Sequence, residues 1–399
     1  MKKRDAKTRD ALSNPFRIGE HVRAPYFTDR AAEVRAVLTA MQDRGRLLVW
    51  GPRRMGKSSV IGVAAQRLRN KGGIVVGTDL ATASSVADAA ERLLQAIARE
   101  TRWRDKLVRW AKSLGPVVTL GWDAAGRPRL SLGVETRPRA PEAQRHLIER
   151  VLDQIDKVAA REDRPVAVVL DEFQRLSELD GEAAEWLLRR RIQESRHTGY
   201  VCAGSKEHLV RELLLPQRAF YKFFDLLHVG PLDRDHLSHW IDDRLGRAGV
   251  AAAGVGAAIW ERVGPRTQDI VQTARAVWFT AAMRGEAGLS DVTAAVQEIV
   301  AGEDAALRRT WDDLSGVQQR VLRALAAGAE QLHSTDTRTA YALGASSSVA
   351  TAVDALVGRG ILERTEREAR FDNPFFRLWI ERHVLLDREA ENHVELVEG

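Results

Sequence analysis

Gly51-Pro52-Arg53-Arg54-Met55-Gly56-Lys57-Ser58 is the stretch on which the reading of this chain turns. It fits G-x-x-x-x-G-K-[ST], and its flanks suit the pattern. Arg46-Leu47-Leu48-Val49-Trp50 before it reads as a short buried strand. Ser58-Ser59-Val60-Ile61-Gly62-Val63-Ala64-Ala65 after it reads as the first turns of a helix. In that strand–loop–helix setting the glycines let the backbone fold around phosphates with its N–H groups turned inward. The helix N-terminus adds partial positive charge, Lys57 reaches the β- and γ-phosphates, and the Ser58 hydroxyl takes a place on Mg²⁺. Gly51, Pro52, Arg53, Arg54, Met55, Gly56, Lys57, Ser58 and Ser59 are therefore the expected binding loop for a nucleoside triphosphate.

Composition narrows what surrounds this loop. With 399 residues the chain exceeds the usual size of one domain, and at 44% hydrophobic it can bury cores. No apolar run approaches the roughly 18 residues of a membrane span, so no membrane partner is expected. Met1-Lys2-Lys3-Arg4-Asp5 lacks the apolar stretch of a signal peptide. The expected location is the cytoplasm. A single cysteine, Cys202, excludes an internal disulfide framework and a multi-cysteine metal site, and its apolar surroundings read as those of a buried thiol. Lys and Arg number 61 against 55 Asp and Glu, a net +6 that permits contact with a polyanion without demanding it.

Along the chain, residues 1–45 form an N-terminal segment and a first helix, which Asp29 is placed to cap. From 46 to 232, strand-like runs at 46–50, 73–79, 165–170, 199–204 and 226–230 alternate with helical patterns. Several of these runs are almost continuously apolar, as strands buried on both faces are. The alternation implies a parallel sheet between helices, an α/β fold. Residues 116–135 break the pattern with a β-hairpin turning at Asp123-Ala124-Ala125-Gly126, expected as a surface or partner-facing elaboration. Residues 233–303 read as all-helical, with helices near 234–247, 252–262, 267–284 and 290–302. Residues 304–390 read as three short helices and a two-stranded wing, a winged helix.

Val166-Ala167-Val168-Val169-Leu170-Asp171-Glu172-Phe173-Gln174 supplies a second nucleotide motif, an apolar strand ending in two carboxylates. Asp171 is placed to hold Mg²⁺ through water, and Glu172 to polarise the attacking water. Ser205, after the strand that ends at Gly204, is placed to bond the lytic water or the γ-phosphate. Arg266, in Gly264-Pro265-Arg266-Thr267 at a helix start, is placed to sense the γ-phosphate. Two carboxylates at a strand end, a turn serine and a first-turn arginine are also ordinary surface features, and only their pairing with the phosphate loop gives them this reading.

With these residues in place, the chain resembles the archaeal-type ATPase family of the AAA+ superfamily of P-loop NTPases. The matches run in order. Asn14-Pro15-Phe16, then Phe27-Thr28-Asp29-Arg30 and Glu33, resemble the N-terminal signature. Residues 51–59 resemble the phosphate loop, Leu170 to Gln174 the acidic strand end, Gly204-Ser205 the sensor strand end, and Asp372-Asn373-Pro374-Phe375-Phe376-Arg377-Leu378-Trp379 the C-terminal ending. The resemblance implies a parallel-sheet P-loop core, an all-helical lid, a C-terminal winged helix, ATP as ligand with Mg²⁺, and ATP hydrolysis. It also implies packing of the segment from Phe16 to Phe27 against adenine. One stretch departs from the pattern. Where the family often carries a leucine-tyrosine-glycine-arginine run, this chain has Arg218-Ala219-Phe220-Tyr221-Lys222-Phe223-Phe224. Lys222 lacks the planar fork of an arginine that serves a neighbouring subunit's nucleotide. Arg218, or the cluster of Arg189, Arg190, Arg191 and Arg196, offers a substitute.

The expected recognition helix of the winged helix, Ser346 to Val357, carries no Lys or Arg and one Asp. The anchor that phosphate contacts need is missing there. Arg359, Arg364, Arg367 and Arg370 near the wing are interleaved with Glu363, Glu366 and Glu368. The reading is an Mg-dependent ATPase that couples nucleotide state to rearrangement of domains or partners. A protein partner or homo-oligomer is expected, and DNA is possible but not favoured. The alternatives are a nucleotide-dependent switch or scaffold with little hydrolysis, and a DNA-binding initiator or remodelling ATPase acting through the winged helix.

Overall fold

Leu47, Leu48 and Val49 of β1 (Arg46–Trp50) alternate between two apolar layers, Leu48 into one and its two neighbours into the other. A strand buried on both faces needs strands on both sides and helices above and below. The computed structural model of the chain, which describes residues 13–19, 25–133, 135–364 and 369–386, supplies both. After α1 (Ala31–Gln42) and β1 come α2 (Lys57–Asn70), β2 (Ile74–Asp79), α3 (Val86–Arg99), a 3₁₀ turn (Thr101–Lys106) and α4 (Leu107–Leu114). The hairpin β3 (Val118–Trp122) and β4 (Pro128–Leu132) follows, then α5 (Pro141–Ala159), β5 (Val166–Asp171), α6 (Arg175–Glu194), β6 (Thr198–Gly204), α7 (Glu207–Leu213) and β7 (Asp225–His228). The five core strands pair in the order β2-β5-β6-β1-β7, all parallel.

Residues 19–232 form one compact unit. α1 belongs to it, because Val34, Val37 and Met41 pack with Leu47, Val49 and Val60 beneath the sheet. A boundary after residue 45 therefore does not separate packed units. The capping reading of Asp29 is corrected. Arg30 is the N-cap of α1, no side chain caps it, and both Asp29 (φ 54°) and Arg30 (φ 63°) are left-handed. The hairpin is also less superficial than its sequence suggested. Val118, Leu130 and Leu132 join Trp103, Trp110 and Leu94 in the main cluster, while Trp122 at its end is exposed. Val134 lies outside the described residues. Cys202 is buried in β6, and burial pushes its thiol pKa up.

The second unit joins residues 13–18 to the described residues from 233 onward. Phe16 meets Trp240 edge-on, and Arg244 donates to the Pro15 carbonyl. Phe16, which the resemblance assigned to adenine packing, is thus buried inside this unit. Its helices are α8 (Arg234–Arg247), α9 (Val255–Val263), α10 (Thr267–Ala281) and α11 (Leu289–Asp312), and the two-residue strands β8 (Ala251–Ala252) and β9 (Glu286–Ala287) pair parallel. α11 runs unbroken for 24 residues through the boundary expected after 303. α12 (Gly316–Ala326), α13 (Thr335–Ala340), α14 (Ser346–Gly358) and the antiparallel pair β10 (Leu362–Arg364) and β11 (Ala369–Phe371) form the winged helix, closed by α15 (Pro374–Ile380). Glu366, Arg367 and Glu368 lie outside the described residues. Among the described residues, no helix is long and apolar enough to cross a membrane.

Gly199 lets β6 run close under α1. A Cβ there would lie 2.8 Å from the Ala40 carbonyl oxygen and 3.1 Å from that of Met41. Gly199→Ala is expected to push α1 off the sheet and destabilise the core by about 1–3 kcal/mol, seen as a lower thermal midpoint followed by circular dichroism.

Candidate functional site

Parallel pairing sets the site. Trp50 at the end of β1 stands in register with Gly204 at the end of β6, and Leu170 near the end of β5 with Cys202. The loops that follow β5, β6 and β1 therefore leave the same edge of the sheet side by side, where ligands of open parallel sheets bind.

The phosphate loop fills one of these positions. Gly51 has φ 142° and Gly56 has φ 93°, and Arg54 between them is also left-handed (φ 65°). Gly51 has no room for a side chain, since a Cβ would lie 2.4 Å from the Val229 carbonyl oxygen. The backbone presses there because Val229 N–H donates to the Trp50 carbonyl, 2.8 Å away, extending the β1–β7 pairing. Met55 is buried, which pins the middle of the loop, while Arg53 and Arg54 are exposed. Gly56 caps α2 without a side chain, so no capping group covers the free N–H groups of the first turn. Lys57 is buried, and its Nζ donates to the carbonyls of Gly51 at 2.8 Å and Pro52 at 2.6 Å. The ammonium is thus held over the mouth of the loop by neutral acceptors, which an anionic oxygen outcompetes.

The second position is the end of β5. Ser58 Oγ, in the first turn of α2, donates to Asp171 Oδ2 at 2.8 Å, across 113 residues of sequence. Burial raises the Asp171 pKa, the neighbouring Glu172 and Asp79 raise it further, and the Ser58 hydroxyl and the Glu172 N–H offset part of the rise. Asp79, in register with Asp171 at the end of β2, is a third acid that sequence reading saw only as the end of a strand. Glu172 is left-handed (φ 52°), and its N–H donates to Asp171 Oδ1 at 3.0 Å. Gln174 Nε2 donates to Glu172 Oε2. Ser205 follows the last residue of β6, half-buried. The structure thus gathers Lys57, Ser58, Asp171, Glu172 and Ser205 on one edge of one unit, but not Arg266.

Arg266 lies in the second unit. Its guanidinium is buried, with Nη2 donating to Asp372 at 2.7 Å and to Glu363 of the wing. Arg218 is likewise committed, to Glu185, Glu212 and Ser177 within its own unit. Arg189 donates to the Ala219 carbonyl and stacks on Phe223, Arg190 pairs with Glu149, and Arg191 with Asp153 and Glu194.

Arg30, like Asp79, was not assigned a role at the site from sequence. Arg30, only 8% exposed, bonds Glu33 at 2.8 Å, the Met55 carbonyl at 3.5 Å and the Gly230 carbonyl. It ties the phosphate loop to the chain leaving β7, and the left-handed turn at residues 29–30 directs it there. Its signal in the sequence was only its place beside Glu33 in the N-terminal signature.

The oxygen donors suit a hard cation. Among the described residues no three His, Cys, Asp or Glu side chains form a metal-holding group. Ser58 and Asp171 offer instead the one or two protein oxygens with which Mg²⁺ is held when phosphates and water complete its shell.

Comparison with known proteins agrees with this geometry. Residues 26–201 match the family described as an AAA ATPase domain, and residues 305–382 match a probable winged helix domain. No curated protein matches the chain. Among solved structures, a Walker-type ATPase of Pyrococcus abyssi is 17% identical, with 90% of this chain and 97% of that one covered at a TM-score of 0.60. The ORC2 protein of Aeropyrum pernix in ADPNP–ADP complexes is 14% identical, covering 92% and 96% at 0.57. The ORC1 protein of Aeropyrum pernix in complex with DNA is 15% identical, covering 94% and 100% at 0.52. These are likenesses of fold.

Gly51→Ala places a methyl group against the Val229 carbonyl. The loop must then leave β7, and the dissociation constant for ATP, measured by isothermal titration, is expected to rise at least tenfold while far-UV circular dichroism is retained.

Proposed function

We propose that this chain, whose residues 26–201 match an AAA ATPase domain, is an Mg-dependent ATPase of the AAA+ kind whose hydrolysis is run by Lys57, Ser58, Asp171 and Glu172. The observation that carries the reading is the Ser58 Oγ–Asp171 Oδ2 hydrogen bond of 2.8 Å. It joins the phosphate loop to the acidic strand end, where Glu172 follows Asp171.

In this reading the N–H groups of residues 51–59 and the Lys57 ammonium bind the β- and γ-phosphates. Mg²⁺, held by Ser58 and, through water, by Asp171, supplies neutralisation of charge on the phosphate oxygens. Glu172 takes a proton from water as the water oxygen bonds to the γ-phosphorus. The bond from that phosphorus to the bridging oxygen breaks, and ADP leaves with its electron pair. ATP and water give ADP, inorganic phosphate and a proton. Ser205, at the tip of β6, stays in the proposal as a partner of the water or the γ-phosphate. Arg266 stays as a γ-phosphate contact on the condition that it exchanges Glu363 and Asp372 for phosphate. The nucleotide state is coupled to rearrangement of domains or of a protein partner, and the chain works in the cytoplasm.

A slow, switch-like turnover is the second reading. The observation that favours it is the engagement of Arg218, Arg189, Arg190 and Arg191 inside their own unit, which leaves none of them as an outstretched finger for a neighbour's nucleotide. A phosphate-release rate that stays constant as protein concentration rises supports it, and a rate that climbs steeply with concentration opposes it. A DNA-remodelling role is weaker. A solved structure of similar fold holds DNA, but here Arg364 pairs with Asp354 and Arg370 with Glu363, so the wing offers little net charge to phosphates.

Two substitutions test the main reading. Lys57→Ala is expected to weaken ATP binding at least tenfold. Glu172→Gln is expected to bind ATP normally and to lose about 10²–10⁴-fold in turnover, the usual contribution of a positioned base. Wild-type phosphate release by Glu172→Gln would remove Glu172 from the mechanism.

A further inference from the structure

Glu172 is held at φ 52°, a conformation that a non-glycine residue adopts only at a cost, and such strain persists only where the surroundings fix it. Three contacts do so. Phe173 N–H donates to the Ala203 carbonyl of β6 at 3.0 Å, Arg175 N–H donates to the Glu172 carbonyl at 2.9 Å, and the Phe173 ring is locked edge-on against Phe220 and Phe224. The result points the side chain of Gln174 back at Glu172. Gln174 is 2% exposed, and its Nε2 donates to Glu172 Oε2. Its other amide atom, Oε1, is buried with no hydrogen-bond partner. That oxygen lies against the tip of β6, since a Cβ on Gly204 would be 2.9 Å from it.

A buried amide oxygen left without a donor is costly, and such exceptions ask for an explanation in function. We propose that Gln174 is a positioning residue for hydrolysis, one whose amide leaves Oε1 unpartnered in order to aim Nε2 at Glu172 Oε2 and so fix the carboxylate. The proposal rests on Glu172 being the base. A carboxylate held in one orientation presents Glu172 Oε1 to the attacking water. The proton leaves to Glu172 as the oxygen bonds to phosphorus, and Gln174 is unchanged by the step.

The test is single-turnover hydrolysis of ATP by the full chain with Gln174→Met, which keeps side-chain length and removes the amide that bonds Glu172. The hydrolysis rate is expected to fall ten- to a hundredfold. The dissociation constant for ATP should stay within twofold of wild type and the thermal midpoint within a few degrees. Gln174→Asn, which keeps the amide but withdraws it by one methylene, is expected to show the same split and carries the test if the methionine variant does not fold. The double variant Glu172→Gln with Gln174→Met is expected to be no slower than Glu172→Gln alone, because Gln174 acts through Glu172. A wild-type or faster rate with Gln174→Met, or additive losses in the double variant, overturns the proposal while leaving the base assignment standing. Normal turnover by Glu172→Gln alone overturns both and identifies the base assignment as the fault.

Discussion

Strands that pair in parallel must all leave the sheet on the same edge, and the chemistry of this protein follows from that constraint. β1 is the first core strand in sequence, yet it pairs with β6 and β7, the last two. The chain can place it there only by crossing over repeatedly, and each crossing returns a loop to the same edge. A serine and an aspartate 113 residues apart then come within hydrogen-bonding distance. Neither the glycines of the phosphate loop nor the acids of β5 form a site alone. The sheet order makes them neighbours.

The electrostatics of that edge argue for its ligand. Asp79, Asp171 and Glu172 crowd together, and their mutual repulsion adds to the burial that raises the Asp171 pKa. Against them stands Lys57, already satisfied by two carbonyls. A triphosphate brought to this edge without a cation would face three carboxylates. In the proposed reading a divalent ion lies between these acids and the phosphates, and Lys57 with the first-turn N–H groups balances the other side. The left-handed backbone at Arg54 and Glu172 and the buried bonds of Arg30 follow the same logic, because a site that must hold opposed charges at fixed distances cannot also relax.

How much of this could be read from sequence depended on the range of the forces. The strands were legible because burial on both faces writes a continuous apolar run. The phosphate loop was legible because glycine is required where φ is positive and backbone approaches backbone. Asp29 was misread as a cap because local chemistry favours aspartate there. What decides the turn is the reach of Arg30 to carbonyls at residues 55 and 230, which no local propensity encodes. The hairpin showed its alternation but not which of its faces would be buried. The helix through residue 303 continues because Leu307 and Trp311 extend its apolar side past the boundary expected there. Gln174 stood in plain view inside a motif, and only its burial and its orphaned oxygen give it a role.

Arg266 marks the limit of such reading most clearly. A first-turn arginine looks solvent-exposed or ligand-facing, yet its partners Glu363 and Asp372 lie 97 and 106 residues further along the chain. Stability alone is a weak reason for the arrangement, because a buried ion pair replaced by well-packed apolar groups is often neutral or better. What an arginine between two carboxylates does supply is registry: a single nitrogen, Nη2, meets both acids, which ties the wing to the start of α10. Removing either acid alone leaves a charge less compensated in a buried place, and removing the arginine leaves two. The cluster is therefore a fastening whose partial opening is costly.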